Sequence, residues 1–466
     1  MLNHVRCLGV AGTLALASAS LVAVGAPAVT AAASAQPASM ISHLASHTQP
    51  PTQAQCVATF TVPCYQPAQF QAAYNEQPLF KRGITGKGET IVIVDSFGSP
   101  TIKSDLKTFD AQFGLKNPPS FKIIQPAGPV GKFDPATMGG WAGETTLDVE
   151  WSHTMAPGAN ILLVETPVAE TEGVAGFPQI VEAENYVINH HLGQVISQSF
   201  GATEQTFKTA QSLLRLRSAY LNAYRHHVTV LAASGDTGAT GYSNTAGTLL
   251  YTHRAVDWPA SDPLVTGVGG TQLQLNTSGG RTAPDQVWND SFNTSLNQVF
   301  FGNSGPNALA TGGGKSVIFD RPAYQRGDGV HGDRRGVPDV AMSGACSGLV
   351  VTYQSYPGQQ AGWYVVCGTS EASPLFAGIV ALADQMAHRS LGLINPALYE
   401  LSARRAPGLV DVTSGNNTVA FTQNSKLFTV NGFDAGLGYD LASGVGTINA
   451  ALFVPELARA AGHHHR

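Results

Sequence analysis

The chain is poor in charge. Asp, Glu, Lys and Arg make up 12% of its 466 residues, about half the usual share for a soluble domain. The formal net charge is −5, and no basic stripe or acidic block stands out, which argues against a nucleic-acid or polyanion partner. Cysteine is sparse as well, five in all, and no CxxC or Cys/His zinc spacing occurs. Beyond the N-terminal segment no uncharged stretch reads as a membrane span. What remains is 43% hydrophobic with 51 glycines, enough apolar material for a sizeable core. A charge-poor surface suits an extracellular protein. It also suits one that works in acid, where ion pairs to carboxylates are lost.

Residues 1–35 read as an export signal. His4 and Arg6 form a short polar start, residues 7–26 are uncharged, and Ala26-Pro27-Ala28 and Ala33-Ser34-Ala35 offer small-x-small cleavage sites. About 20 uncharged residues could instead anchor the chain in a bilayer, but the many Ala, Gly and Ser weaken that reading. Residues 36–75, rich in Ala, Pro, Gln, Ser and Thr, read as a short pro-segment or linker. Residues 461–466, with His463-His464-His465, read as a tail. Outside the signal four cysteines remain, and they allow three pairings. Nearness in sequence favours Cys56–Cys64 and Cys346–Cys367. The second pair flanks two apolar runs, Leu349–Val351 and Trp363–Val366, with Pro357-Gly358 between, the pattern of a hairpin stapled at its open end.

Residues 76–460 read as one large domain. Ile91-Val92-Ile93-Val94-Asp95 is an apolar run ending in an acid, the pattern of a buried parallel strand. Further strands are predicted at 161–164, 195–197 and 228–231, and helices at 102–113, 143–153, 177–190, 206–226 and 370–389. This alternation predicts an α/β fold, a mostly parallel central sheet with helices on both faces. Ligands in such folds sit beyond the carboxyl ends of the strands.

The sharpest local signal is Gly368-Thr369-Ser370-Glu371-Ala372-Ser373-Pro374. A Gly-Thr turn leads Ser370 onto the start of an apolar helix, whose free amides and dipole suit a nucleophile that generates an oxyanion. The plain alternative is a Ser N-cap with Pro in the first turn. A serine nucleophile needs a base. Subtilisin-like enzymes use a histidine in a His-Gly-Thr segment, and none of the 14 histidines here is followed by Gly-Thr. His153, the nearest candidate, reads as a cap at the end of its helix, before Ala156-Pro157-Gly158. A carboxylate base remains. Glu144 and Asp148 lie i, i+4 on one helix face, where two acids are destabilising unless a function or a shared proton compensates; a solvated acidic face is the alternative.

Glu144-x-x-Leu147-Asp148 on a helix, then Ser234-Gly235-Asp236 after a strand, then Gly368-Thr369-Ser370-x-x-x-Pro374, resembles the sedolisin or serine-carboxyl peptidase family. Other blocks agree in order, among them Val195–Gly201, Pro259–Pro263, Val268–Thr271, Gly312–Ser316, Pro322–Gln325 and Val337–Val340, so the likeness runs from about Tyr65 to Leu452. The resemblance implies a subtilisin-like three-layer fold and a secreted endopeptidase that cleaves proteins or peptides in acid. It implies Ser370 as nucleophile, Glu144 as its base, Asp148 as the partner that tunes Glu144, and protonated Asp236 in the oxyanion hole. An unperturbed Glu titrates near ~4.3, so such a base works where a histidine would be charged. Gly312–Ser316, which lacks the earlier glycine of a phosphate loop because Leu309 stands there, is implied to line the substrate cleft.

The same resemblance implies a calcium site with Asp411 and Asp440 as carboxylate ligands, the carbonyls of Val412, Gly436 and Gly438 as further ligands, and water completing the shell. Hard oxygen donors of this kind suit Ca2+. The chain is expected to act as a monomer, with no nucleic-acid partner and no membrane contact after signal cleavage. One departure concerns the pro-region, which is long in many sedolisins; here only about 40–50 residues separate the signal from the catalytic region. The rival reading is a non-catalytic secreted binding protein on a peptidase scaffold, expected to lose at least one of the four catalytic groups, yet all four are present. An α/β-hydrolase would need Gly-x-Ser-x-Gly after a strand, with Asp and His following, and Ser370 has the wrong flanks.

Overall fold

A run of four apolar residues with no polar interruption has two faces to bury. The computed structural model, which describes residues 40–42, 49–327 and 330–462, shows where each goes. Ile91 and Ile93 of strand β1 (Thr90–Ser96) face one apolar cluster, and Val92 and Val94 face a second. Strand β3 (Asn160–Thr166) repeats the pattern, with Ile161 and Leu163 on the first side and Leu162 and Val164 on the other. Period-2 alternation between two cores is what a central sheet covered on both faces requires.

The sheet has eight strands. Beyond β1 and β3 they are β2 (Phe121–Ile124), β4 (Val195–Gln198), β5 (Thr229–Ala233), β6 (Thr266–Gln272), β7 (Gln286–Val287) and β8 (Val340–Ser343). The order is β7-β6-β5-β4-β1-β3-β2, with β8 also paired to β6. Every pairing is parallel except that of β7. Helix α1 (Ile102–Phe113) follows β1. Helices α2 (Pro135–Met155), α5 (Thr369–Ala387) and α6 (Ala450–Ala460) supply the first cluster. Helices α3 (Phe177–Asn189) and α4 (Ser218–Arg225) supply the second. The three-layer α/β architecture expected from the sequence is present.

The expected hairpin is formed by β9 (Leu349–Gln354) and β10 (Gly362–Cys367) in antiparallel register, and the disulfide Cys346–Cys367 closes its open end. Cys56–Cys64 is the second bridge. Residues 49–75, part of the segment read from composition as pro-segment or linker, carry helices at Gln53–Phe60 and Pro67–Ala73, and Tyr65, Phe70 and Tyr74 are buried in the first cluster. The proposed export signal and the His463–His465 tail lie outside the described residues. Among the described residues no helix is long and apolar enough to cross a membrane.

Two predicted helices differ in detail. The helix around Glu144 is longer than expected and starts at Pro135, with Asp134 accepting from the Ala136 amide as N-cap. The single helix expected over 206–226 is two, Ala210–Leu214 and α4. The break falls at Arg217, whose guanidinium reaches Asp262 with two bonds of 2.5 and 2.8 Å.

Helices α2 and α5 pack closely because Gly378 faces α2. A Cβ there would lie 2.5 Å from the Met155 Cβ and 3.2 Å from the Ser152 carbonyl oxygen, nearer than real contacts allow. Gly378→Ala is therefore expected to push the helices apart and lower stability by ~1–3 kcal/mol, read as a drop in the denaturation midpoint.

Candidate active site

The carboxyl ends of adjacent strands β1, β4 and β5 lie side by side, and each hands a polar group to the same edge. Asp95 is the penultimate residue of β1, Ser199 follows β4, and Asp236 comes three residues after β5. Helix α2 lays Glu144 and Asp148 along this edge, and α5 begins there with Thr369 and Ser370. Glu144, Asp148 and Ser370 are fully buried, and Asp236 is 7% exposed. The alternative of a solvated acidic helix face is thereby excluded. Ser370 is also not the N-cap of α5, a place taken by Gly368; it is the second residue inside the helix.

Asp236 is held by the serine turn itself. Its Oδ1 accepts the Thr369 amide and the Thr369 hydroxyl, both at 2.7 Å. Its Oδ2 is buried with no hydrogen-bond partner. Gly368 makes room for it. A Cβ at 368 would sit 2.5 Å from that Oδ2, and the backbone there has φ +129°, which a side chain disfavours. Burial pushes the Asp236 carboxyl up to about 7 against the two Thr369 bonds, and the Asp257 charge adds to the rise. With both bonds accepted at Oδ1, a proton on this group belongs on Oδ2.

Asp148 reaches the same turn through one side chain. The Ser199 hydroxyl stands 2.8 Å from Asp148 Oδ1 and 3.2 Å from the Ser370 carbonyl oxygen. Burial raises the Asp148 carboxyl well above the ordinary range, and the charges of Asp95 and Glu144 raise it further. Asp95, fully buried, is itself pushed up to about 7 by burial and by Glu165, against a hydrogen bond from Thr145. Asp95 and Asp148 are thus interacting acids that favour keeping protons, and Glu144 is a charged neighbour of Asp148. Asp95 and Ser199 had no assigned role from the sequence. The available signal was an acid closing an apolar strand at the ligand-binding edge of a parallel sheet. Glu371, next to Ser370, is another buried acid with no assigned role, raised by burial and by Asp236.

His153 does not cap its helix as expected. Its ring is buried, with Nε2 2.8 Å from the Lys116 carbonyl oxygen and 3.4 Å from Asp110, and burial lowers its pKa to about 4. The Gly312–Ser316 segment lies against Ser234-Gly235, with the Gly312 amide on the Gly235 carbonyl at 2.6 Å and the Ser234 hydroxyl on the Gly312 carbonyl at 2.7 Å. It therefore borders the Asp236 turn.

The residues expected to hold calcium meet at one loop. The Gly438 amide donates to Asp411 Oδ2 at 2.9 Å and the Gly436 amide to Asp440 Oδ2 at 3.3 Å. Asp440 Oδ1 accepts the amides of Ala442 and Ser443, and burial raises its carboxyl. Val412 is buried beside them. Two carboxylates closing on one three-residue glycine-containing stretch fit a hard cation. Among the described residues no three His, Cys, Asp or Glu side chains gather into a metal cluster, so carbonyls and water would have to complete the shell.

The subtilase family model matches residues 136–406, which is more than half of the chain. The chain belongs to the subtilase family. Among its relatives are kumamolisin and sedolisin, the second bearing the name of the family that the sequence motifs resemble. Kumamolisin of Bacillus sp. (strain MN-32) is 32% identical over 397 residues, covering 82% of this subtilase and 62% of kumamolisin. Sedolisin of Pseudomonas sp. (strain 101) is 28% identical over 399 residues, with 85% and 62% covered. The solved structure of Pseudomonas sedolisin, a serine-carboxyl proteinase complexed with two molecules of pseudo-iodotyrostatin, superposes with a TM-score of 0.68 at 26% identity, covering 85% of this subtilase and 99% of that chain. The chain spans about three fifths of the length of kumamolisin and sedolisin.

The buried acids have a consequence for stability. Asp95, Asp236 and Asp257 are pushed up to about 7, and Glu172 and Glu184 to about 8, burial being the largest cause in each. Unfolded, all five titrate near ~4. The folded state then holds more protons between these limits, so their contribution is fully present below about pH 4 and is lost as pH rises through about 7 to 8. Neutral His153 acts oppositely as pH falls toward about 4, one group against five. The melting temperature is expected to be higher at pH 4.5 than at pH 8 in the same buffer salt; a higher value at pH 8 would contradict the assigned burial.

Proposed function

We propose that this subtilase is an exported serine-carboxyl endopeptidase that cleaves peptide bonds in acid. The observation that carries the reading is that one buried serine turn is tied to two carboxyls that favour protons, Asp236 through Thr369 and Asp148 through Ser199. The histidine on the same helix is engaged elsewhere. Similarity to kumamolisin and sedolisin supports the reaction class, and the two disulfides support export.

Ser370 Oγ adds to the substrate carbonyl carbon as its proton passes to Glu144. The oxyanion accepts hydrogen bonds from the Asp236 Oδ2 proton and the Ser370 amide, which has no acceptor within the first helical turn. Collapse breaks the C–N bond, and Glu144 returns the proton to the leaving amine. Water, deprotonated by Glu144, then attacks the acyl ester, and Glu144 returns that proton to Ser370 Oγ as the ester C–O bond breaks. Asp148 shares a proton with Glu144 and sets its basicity. Donation by Asp236 requires its neutral form, so the hole works in acid and fails as pH rises through about 7.

Ser370→Ala is expected to abolish cleavage of a denatured protein at pH 4, and wild-type activity to fall away as Asp236 loses its proton. Asp236→Asn keeps a donor that cannot ionise. It should shift the alkaline limb of kcat/KM upward, even where the maximum drops. A wild-type enzyme fully active at pH 8 and indifferent to this change would rule out the protonated-carboxyl hole.

Calcium is assigned to the loop of Asp411 and Asp440, with the carbonyls of Val412, Gly436 and Gly438 and with water. When bound, it supplies charge that holds the two carboxylates and the loop together. Asp411→Ala or Asp440→Ala should lower the melting temperature measured in Ca2+ and remove its sensitivity to a chelator. Wild-type protein that melts identically with and without chelator would refute the assignment.

A further inference from the structure

Helices α3 and α4 run toward the amino ends of the strands that follow them, so they end on the edge opposite the serine turn. Each ends in a His-His pair. His190 is the C-cap of α3 and His226 the C-cap of α4. His191 and His227 follow with φ of 52° and 56°, the left-handed turn that closes a helix. The helices are stitched together one turn earlier. The Asn222 amide donates to Asn185 Oδ1 at 3.0 Å and to Asn189 Oδ1 at 2.9 Å. Beyond that ladder two exposed imidazoles, one from each helix, lie side by side in solvent with their planes tilted. The rings of His191 and His226 lie 5.5 Å apart, centroid to centroid, at 54°.

The spacing has a chemical reading. With metal–nitrogen bonds of about 2.0–2.1 Å, an imidazole centroid sits about 3.2 Å from its ion, so two imidazoles on one tetrahedral ion have centroids about 5.2 Å apart. The observed separation is close to that value, and ordinary side-chain rotation covers the difference. Imidazole pairs select borderline ions such as Zn2+ over Ca2+, and exposed rings give up little on losing water to a metal. Both helix C-termini also carry partial negative charge, which favours a cation at this spot.

We propose that His191 and His226 form a two-imidazole site for Zn2+ or a similar divalent transition-metal ion, completed by water, that clamps the C-terminal ends of α3 and α4 together. The site holds two protein ligands, not a cluster of three or more. It lies away from the serine turn, so its occupancy acts on stability and not on chemistry.

The test is titration calorimetry of Zn2+ into the full chain at pH 7 in excess Ca2+. The protein carries Ser370→Ala to prevent self-cleavage, and His463→Gln, His464→Gln and His465→Gln to remove the other histidine run. One Zn2+ per chain and a rise in melting temperature are expected. His191→Gln and His226→Gln should each weaken binding at least tenfold and erase the rise, whereas His253→Gln should leave both unchanged. Absence of Zn2+ binding by the tail-substituted chain, or binding indifferent to both substitutions, overturns the proposal.

Discussion

Carboxyl groups taken out of water with acids for neighbours are the constraint around which the centre of this molecule is organised. An isolated buried carboxylate is expensive, and the group relieves the cost by keeping its proton. Asp95, Asp148 and Asp236 all follow this course, each raised chiefly by burial, with the charge of another acid adding to the rise. A protonated carboxyl is a hydrogen-bond donor, which a carboxylate is not. A site built this way offers donors and proton stores in acid and loses them toward neutrality.

The backbone makes that arrangement possible. Parallel strands of unequal length leave their carboxyl ends at one edge, and polar residues just past those ends are gathered without disturbing the apolar sheet. Close approach then does the fine positioning. Gly378 lets the helix bearing Glu144 and Asp148 lie tight against the helix bearing Ser370, and Gly368 leaves space for the Asp236 carboxyl beside the serine. The hydroxyls of Thr369 and Ser199 link acids to that turn. The subtilase architecture is retained while the polar groups at its edge are acids.

The glycine loop and the histidine pair sit elsewhere on the domain and draw on different chemistry. Asp411 and Asp440 present hard oxygens around a glycine-containing turn, and His191 and His226 present borderline nitrogens at two helix ends. Each joins segments that are distant in sequence, and each would tighten the fold through an ion that the unfolded chain does not hold.

Much of this was legible in the residue order. The apolar run 91–94, the i, i+4 spacing of Glu144 and Asp148, the Gly368-Thr369-Ser370 turn and the nearness of the paired cysteines are local patterns, and local patterns follow from backbone periodicity and loop length. The α/β layering and both disulfides could therefore be read before any coordinates. Composition left the packing of residues 49–75 open, because Ala and Gln say little about it while Tyr65, Phe70 and Tyr74 find a core supplied by distant segments. Periodicity carried one helix through 206–226 because it cannot see that Arg217 is drawn to Asp262. His153 looked like a cap because its partner, the Lys116 carbonyl, lies 37 residues away. The sequence alone determined which residue types could do the chemistry and in what order they occur. Only the tertiary structure decided which acids are buried together, because burial and charge coupling arise between groups that the chain keeps far apart until it folds.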